Sequence, residues 1–336
     1  MKLRYYVLTR LVLAIPTMFI LLTSVFVMMH VLPGDPVLIM YGEYWTDEFI
    51  DEARQKLGLD RPMYVQYMDY MSKFIRLDLG NSITYNQPVW YKIKDRWPLT
   101  LECAVGGLLF SLALGMPVGI YAALHKGSRI DQVIRIFTLY LHSVPNFWVA
   151  LLLQIFFGLT LGGALPISGR WPPGYRISTI TGIGTLDALL QGNFTGFIIA
   201  FKHMLLPWFV IGLSSLPYMS RIARAAMLNV LGEDYITTAR AKGLVERVVV
   251  FKHGLRNALL PIITIVGGSF TGMLGGTVIV ETIFTLPGIG GLLSRALSAR
   301  DYPMIQGIVA LMAIVVVVMN TLVDIIYAYA DPRIKY

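Results

Sequence analysis

Polar side chains interrupt several long apolar stretches of this sequence, and they are the residues best placed to do chemistry. Such groups are costly in lipid, so they either hydrogen-bond to a neighbouring helix or line a path for a polar solute. Three of them flank Pro145. A lone histidine inside a membrane more often bonds to a neighbouring helix, and both interpretations stay open. The candidates for contact with a passing solute are His142, Ser143, Asn146, Ser214, Ser215, Ser269 and Thr271.

Two carboxylates, Glu102 and Glu281, lie close to the ends of apolar stretches. We expect both near the outer surface of the membrane, where water can solvate the charge. That interpretation is at least as good as a functional one. The acids within the apolar stretches are too few to predict a proton relay.

Motifs of the common catalytic sites are missing. The sequence has no G-x-x-x-x-G-K-[ST] phosphate loop, so the chain is not expected to hydrolyse ATP itself. It also lacks H-E-x-x-H and G-x-S-x-G. The single cysteine, Cys103, can form neither an internal disulfide nor a paired-cysteine zinc site. We therefore predict no catalytic residue, no metal site and no cofactor bound by this chain.

The elements that position these side chains must be membrane helices. Of the 336 residues, 56% are hydrophobic and only 14% are charged, and the mean hydropathy is +0.64. A soluble domain, with about 25% charged residues, cannot hide so much apolar surface. The net charge of +8 is spread over short loops, which is typical of a topology signal rather than of a surface for nucleic acid.

Six apolar runs are long enough to cross about 30 Å of hydrocarbon as helices. Helices are favoured because unpaired backbone groups are too costly in lipid and because the runs lack the alternation of barrel strands. The predicted fold is an all-α integral membrane protein with six transmembrane helices. The runs cover residues 9–32, 100–124, 135–162, 204–226, 261–285 and 304–328.

Charge is distributed unequally between the segments that connect these runs. Residues 221–260 contain seven basic and three acidic side chains, whereas residues 33–99 contain eight basic and ten acidic ones. Since short basic loops stay in the cytoplasm, we expect 221–260 and both termini to be cytoplasmic and 33–99 to be extracellular. Residues 161–203 are mildly basic, which argues weakly against this orientation.

The segment 33–99 is long enough to fold as a small helical scoop. Residues 47–59 predict a capped helix that stops near Gly58, and residues 63–80 form a second, aromatic-rich amphipathic stretch. The scoop can be a structural cap or a surface that receives a partner, and both interpretations stay open. The predicted parts of the chain are a cytoplasmic tail with the first transmembrane helix (1–32), the extracellular scoop (33–99), a core of five transmembrane helices (100–330) with a cytoplasmic loop (227–260), and a cytoplasmic tail (331–336).

Glycines recur at four-residue spacing in two of the runs. Without side chains, such a face lets another helix approach closely, so we predict tight helix packing at both faces. The two faces are Gly115 with Gly119, and Gly268 with Gly272 and Gly276. Prolines within or at the ends of runs are expected to kink their helices. They are Pro117, Pro145, Pro217 and Pro261.

A basic stretch, Glu233–Pro261, lies between two apolar runs and reads EDYITTARAKGLVERVVVFKHGLRNALLP. Acids at its start, cations before Gly243 and the glycine itself predict a short helix with a left-handed end. A second helix is predicted from about residue 245 to residue 260. Its apolar stripe would consist of Leu244, Val248, Phe251, Leu255 and Leu259. Two helices joined at Gly243 can present the short helix and its turn to a partner protein. They can also form an ordinary amphipathic linker at the lipid surface.

The same stretch resembles the cytoplasmic coupling loop, or EAA loop, of ABC-importer permeases of the dipeptide/oligopeptide/nickel branch. In the wider family the loop reads Glu-Ala-Ala, three residues, then Gly, and here only Ala239 and Gly243 match, with Thr237 in place of the glutamate. The eighteen-residue step from Gly243 to Pro261 is longer than in sugar-type permeases. Both departures are similar to the peptide branch. The resemblance covers nearly the whole chain, including ETIFTLPGIGGLL at 281–293 and DPRIKY at the end.

The resemblance implies one membrane subunit of an ATP-driven importer in a prokaryotic plasma membrane. Such a subunit would pair with a similar second permease, two ATPase subunits and an extracellular substrate-binding protein, and it would bind no nucleic acid. ATP and Mg²⁺ would be used by the ATPases. The short helix and its glycine turn around Ala239–Gly243 would lie in a groove on one ATPase. The residues expected at that contact are Glu233, Asp234, Tyr235, Thr238, Ala239, Arg240, Ala241, Lys242 and Gly243.

Cargo and mechanism have alternatives at this point. The branch implies di- or oligopeptides or oligosaccharides, while nickel is disfavoured because the chain has only five histidines and one cysteine, mostly in loops. A gradient-driven secondary transporter or channel would work without ATPases. An intramembrane enzyme would need a reactive polar cluster at one depth, which the sequence does not indicate.

Overall fold

The fold is that of a computed structural model, in which residues 3–31, 37–38 and 46–330 are described. Within these ranges the structure is helical and contains no β-strand. The predicted all-α class is therefore confirmed. The predicted tail 331–336 and two parts of the predicted scoop, 33–36 and 39–45, lie outside the described residues.

The helices are numbered here along the chain. Two of them continue directly into π-helical turns, Phe156–Thr160 after α6 and Val249–Leu255 after α10. The bounds are α1 Leu3–Val31, α2 Asp47–Leu57, α3 Met63–Ile75, α4 Val89–Leu124, α5 Arg129–Ser143, α6 Asn146–Ile155, α7 Gly184–Leu190, α8 Phe194–Leu231, α9 Asp234–Ala241, α10 Glu246–Val248, α11 Arg256–Ile283, α12 Ile289–Ser298 and α13 Tyr302–Ala330.

Four helical stretches are long and apolar enough to cross a membrane, and they correspond to four of the six predicted runs. The first run falls in α1, whose apolar part Ile15–Val31 is shorter than these four. The run 135–162 is a bent pair of helices. The described residues thus support four spans, or five with the bent pair, and six spans stay a prediction. The four are Val89–Leu124, Phe194–Leu231, Glu246–Ile283 and Tyr302–Val323.

The bend in the third run occurs at Pro145. Helices α5 and α6 with its π-helical turn meet there at 93°. Proline has no N–H to continue the hydrogen-bond ladder and forces the residue before it into an extended conformation, so the helix stops. Val144 has ψ 124°, as this rule requires. The kink predicted at this proline is confirmed, whereas the helix is not one straight span.

The centre of the bundle is the pair α4 and α8, which run parallel and in close contact. Gly107 faces Ile211 near one end of the pair, and Gly119 faces Ser220 near the other. A Cβ atom added to Gly119 would lie 2.2 Å from the carbonyl oxygen of Ser220. Only glycine permits this approach. The tight packing predicted for Gly115 and Gly119 is confirmed.

The second predicted glycine face, on α11, has no neighbour in the described chain. A Cβ atom added to Gly268, Gly272 or Gly276 would meet nothing within 4 Å beyond its own helical turn. The predicted packing therefore does not occur inside the part of the chain that the structure describes. These positions form a smooth, open surface.

Helices α2 and α3 fall within the sequence segment that was predicted to form the scoop. Helix α2 ends at Gly58, whose φ of +71° is left-handed, as predicted from its glycine. Helix α3 packs on α1 through polar contacts: the Tyr67 hydroxyl lies 2.7 Å from the Thr23 hydroxyl, and His30 Nε2 lies 3.0 Å from Gln66 Oε1. Both predicted helices are thus present, while their extracellular placement stays a prediction.

Candidate coupling site

Helix α9 is a separate short helix that ends in a left-handed glycine turn. It begins after Glu233, with Asp234 in its first turn, and ends at Ala241. Gly243 has φ +75°, and its N–H donates to the carbonyl oxygen of Arg240 at 2.9 Å. A left-handed glycine after the last turn is the common way to end a helix. The short helix and its glycine turn are confirmed as predicted from the sequence.

One face of α9 is packed against the rest of the chain. Ile236 and Ala239 are buried against Val249, and the Asn257 amide donates to the Tyr235 hydroxyl at 2.8 Å. Ala239 is therefore turned inward, and it holds α9 in place rather than lying on the free surface. The other predicted contact residues are exposed: Glu233, Asp234, Tyr235, Thr238, Arg240, Ala241, Lys242 and Gly243.

The segment after the glycine turn differs from the predicted helix. Helix α10 leads into the π-helical turn and then into α11, which continues past Pro261. A π-helical turn takes about one more residue than an α-helical turn, so the buried face is displaced. The predicted apolar stripe is wrong, because Leu244, Val248 and Phe251 are exposed. The buried residues are instead Val249, Val250, Gly254 and Ala258.

The π-helical turn packs on the end of α8, close to the end of α4. A Cβ atom added to Gly254 would lie 2.9 Å from the terminal methyl of Met227 on α8. Met227 and Val250 share one buried cluster with Ile120 and Ala123 of α4. The π-helical turn therefore packs on the end of α8 and shares one buried cluster with the end of α4. Because these side chains are closely packed, a displacement of α9 can be transmitted through them to the membrane helices.

A buried ion pair near the same end joins the first turn of α5 to α8. Arg224 donates to both oxygens of Asp131, at 2.8 and 2.7 Å, and the carboxylate also accepts from the Gly127 N–H at 3.1 Å. Ser128 caps α5 by accepting from the Asp131 N–H. No role for Asp131 was predicted from the sequence. The sequence pattern that could have indicated this role is Ser128 followed three residues later by Asp131 in an otherwise basic turn. Such spacing is typical of a helix cap.

The predicted pathway residues are not gathered into one site. His142 lines a cavity between α5 and α8 that none of the other six lines. The hydroxyls of Ser143 and Ser214 donate to carbonyls of their own helices. The hydroxyls of Ser269 and Thr271 on α11 are buried and have no hydrogen-bond partner among the described residues. The roles of His142, Ser143, Asn146, Ser214, Ser215, Ser269 and Thr271 in transport stay predictions.

Glu102, at the opposite end of the bundle, is not solvated by water as expected. It is 4% exposed and accepts hydrogen bonds from the N–H groups of Gly184 and Thr185 at 3.1 and 2.9 Å. The Arg170 guanidinium donates to it at 3.1 Å. The carboxylate therefore caps the start of α7 and pairs with a cation, both of which stabilise a buried charge. The expectation failed because its partners lie far away in the sequence.

Glu281 is also buried, with no exposed surface. The Thr100 hydroxyl donates to it at 2.6 Å, and the Gly290 N–H donates at 2.7 Å. The Thr100 hydroxyl in turn accepts from the Ile289 N–H. This carboxylate thus ties α4 to the first turn of α12. The expectation of a solvated Glu281 is wrong for the same reason as for Glu102.

Two aspartates fasten other loops at this end. Asp301 is buried and accepts from the N–H groups of Ile83, Thr84 and Met304, so it connects the segment before α4 to α13. Burial opposes the charge of Asp187, but hydrogen bonds from Thr181 and neighbouring N–H groups outweigh it and lower its pKa. Four acids therefore hold the irregular connections at the end of the bundle away from α9.

Comparison with known proteins decides the identity of the chain. A model described as binding-protein-dependent transport system inner membrane component matches residues 115–336, and the model of the N-terminal part of such membrane components matches residues 3–104. The chain belongs to this family. It is a permease, and the transport class that was predicted from the coupling-loop resemblance is confirmed.

The sequence matches to related proteins cover nearly the whole permease. It is 42% identical over 332 residues to the di/tripeptide transport system permease protein DppB of Pseudomonas aeruginosa strain UCBPP-PA14, covering 98% of each chain. It is 40% identical over 339 residues to the dipeptide transport system permease protein DppB of Escherichia coli strain K12, again covering 98% of each chain. These identities place the permease with ABC importers. A gradient-driven transporter or an intramembrane enzyme is not favoured.

A solved structure with the same fold is that of the MetNI methionine ABC transporter in inward-facing conformations. The match has a TM-score of 0.53 at 15% identity and covers 72% of the permease and 97% of the matched chain. At this identity the likeness shows the fold alone.

Replacing Glu102 by alanine is expected to destabilise the permease strongly. The change removes the acceptor of the Gly184 and Thr185 N–H groups and the anionic partner of the Arg170 guanidinium, which keeps only the Gly182 carbonyl among the described residues. Removing one partner of a buried ion pair costs about 3–5 kcal/mol. Thermal unfolding in detergent should show a large loss for Glu102→Ala. The double change Glu102→Ala/Arg170→Ala should lose less than the sum of the two single changes, and strict additivity would contradict the pairing.

Proposed function

We propose that the permease forms half of the translocation pathway of an ATP-driven importer for di- or oligopeptides, which an extracellular binding protein delivers. The names of the relatives support peptides as the cargo. The observation that carries the mechanism is the free face of α9, which is exposed along its length while its inner face is packed on the bundle. A short helix held in this way can receive motion from outside and pass it inward.

Two ATPase subunits would supply the motion, and ATP and Mg²⁺ would bind to them and not to the permease. Each time the ATPases close, α9 would move with the groove that holds it. The contact of Gly254 with Met227 supports transfer of that movement to α8, and the cluster with Ile120 supports transfer to α4. A preference of a few kcal/mol between two packings is enough to shift their populations.

The proposed orientation places α9 and both termini in the cytoplasm, with six helices spanning the membrane. The basic loops next to α5 and α9 support this orientation. Helices α2 and α3 would then form the extracellular scoop. Their position beside the end of α1 supports a role over the entrance of the pathway, where a binding protein would dock.

The open glycine face of α11 supports a second permease as a partner. Gly268, Gly272 and Gly276 present no side chains, and nothing in the described chain covers them. A partner helix could lie on this face with its backbone close to that of α11, because small residues permit such close approach in membranes.

Substituting Gly272 by leucine tests that face. No clash with the described chain is expected, because no atom lies within 4 Å of the added Cβ beyond the helix itself. Helix propensity even favours leucine by about 1 kcal/mol. The variant should therefore be made and inserted normally but should fail to co-purify with the second permease. Normal assembly and normal uptake in this variant would contradict the proposed interface.

The function itself is tested by uptake into vesicles. The permease, reconstituted with its ATPase and second-permease partners and supplied with binding protein, should import a radiolabelled dipeptide only when ATP is present. An oligosaccharide label in parallel distinguishes the two cargo classes. Uptake by the permease alone under an ion gradient would contradict the proposal and favour a secondary transporter.

A further inference from the structure

A cavity of about 280 Å³ lies between α5 and α8, close to the end of the bundle that carries α9. Three arginines and a histidine line it, and no acidic side chain is among its lining residues. The remaining lining is largely apolar, with Ile134, Leu139 and Pro217 among it. Mixed cationic and apolar walls suit a ligand with an anionic head and a hydrocarbon body. The basic residues are Arg135, His142, Arg221 and Arg224.

The charges around the cavity do not balance. Arg224 is paired in bidentate fashion with Asp131, and Arg135 lies 3.7 Å from the same carboxylate. Arg221 has no carboxylate partner among the described residues and lies over the Tyr218 ring at 5.5 Å. One carboxylate thus faces three guanidinium groups. Guanidinium groups are the preferred partners of phosphate oxygens, which they bind with parallel hydrogen bonds.

The side of α5 next to the cavity is apolar and exposed. Leu139, which lines the cavity, is 67% exposed, and Ile136, one turn before it on α5, is 69% exposed. Helix α5 is also half of the bent pair that is apolar enough to cross the membrane. Hydrocarbon chains can therefore lie along this helix while a headgroup enters the cavity, at the depth where a membrane span meets the surface.

We infer that this cavity binds the phosphate group of an anionic phospholipid, with Arg221 and Arg135 as its principal ligands. Basic pockets between membrane helices at a charged surface bind such headgroups. Arg224 is fixed by Asp131 and shapes the wall. The inference depends on the membrane location of the permease and not on its cargo, so it stands or fails separately from the proposed peptide transport.

Lipid titration of the full-length permease in detergent, followed by native mass spectrometry, tests this inference. Phosphatidylglycerol should bind in preference to zwitterionic phosphatidylethanolamine. Each cation removed should weaken binding about five-fold. The double variant Arg135→Gln/Arg221→Gln should therefore lose about 25-fold in affinity if the two act independently. The variant Arg135→Lys/Arg221→Lys keeps both charges and should retain most of the binding.

The matched control is Lys126→Gln/Arg129→Gln, which removes the same charge from the neighbouring exposed turn outside the cavity. It should leave phosphatidylglycerol binding nearly unchanged. Equal losses in both glutamine variants would mean a diffuse surface attraction and would overturn the inference. Equal binding of the two lipids to the wild type or the lysine variant would overturn it as well. Displacement of the lipid by millimolar inorganic phosphate or by a dipeptide would assign the cavity to a free anion or to the cargo instead.

Discussion

Gly243→Pro should abolish ATP-dependent uptake while the permease is still inserted in the membrane. The native φ at this position is +75°, whereas proline fixes φ near −65°. The substitution also removes the N–H that donates to the carbonyl of Arg240. The end of α9 must then unwind or turn elsewhere. No atom of the described chain lies within 4 Å of a Cβ added here, so the damage should fall on an external contact rather than on the core.

The measurement is uptake of labelled dipeptide per inserted molecule, with insertion checked by gel filtration in detergent. Gly243→Ala is a milder companion, because a left-handed alanine costs only about 1–2 kcal/mol. It should retain part of the uptake.

A matched control for Gly243 is available at the other end of the bundle. Gly192 follows α7, has φ +66°, has no neighbour of the described chain within 4 Å of an added Cβ, and donates its N–H to Leu189. Gly192→Pro therefore imposes a similar strain away from α9. It should leave ATP-dependent uptake per molecule largely intact. If both proline variants lost uptake equally, a special role for α9 would be refuted.

Gly119→Leu should prevent the permease from folding. The added Cβ would lie 2.2 Å from the carbonyl oxygen of Ser220 and 2.9 Å from the Cβ of Ala223. A backbone oxygen in a helix cannot swing aside, so α4 and α8 would have to separate along their contact. The loss should exceed the roughly 1–3 kcal/mol typical of an overpacked core. We expect little folded protein in detergent extracts and aggregation on gel filtration.

Gly272→Leu is the internal control for Gly119→Leu, since it makes the same chemical change at another membrane glycine. Gly272 has open space where Gly119 has a neighbouring backbone. Only the Gly119 variant should lose the folded chain, and only the Gly272 variant should be folded yet unassembled. A folded, monodisperse Gly119→Leu protein would show that the contact between α4 and α8 is looser than described.

Local signals predicted much of the structure correctly. Helix α9 was predicted from acids, cations and a glycine within about ten residues, and α2 was predicted in the same way from its start and from Gly58. The bend at Pro145 follows from the chemistry of a single residue. Each of these features is decided by hydrogen bonds between residues close together in the chain, so the sequence alone contains enough information.

Features that depend on distant partners were beyond sequence reasoning. Glu102 and Glu281 were taken to be solvated, because nothing near them in the chain provides a partner, yet both are buried and bonded. The apolar stripe near Phe251 was misplaced because a π-helical turn changes which residues face the bundle. No local residue pattern predicts such a turn. The open face around Gly272 was predicted to pack, but whether a bare face is covered depends on a partner outside the described chain.

The buried acids also constrain the order in which the protein can be completed during its synthesis. The partners of Glu102 lie 68 and 83 residues further along the chain, and those of Thr100 and Ser82 lie 181 and 219 residues further. At about 5–20 residues per second, a ribosome needs roughly 4–17 s to reach the first of these sets. Until then Glu102 lacks the partners that bind it in the folded chain. The connections at this end of the bundle can therefore be completed only after Asp301 has been synthesised.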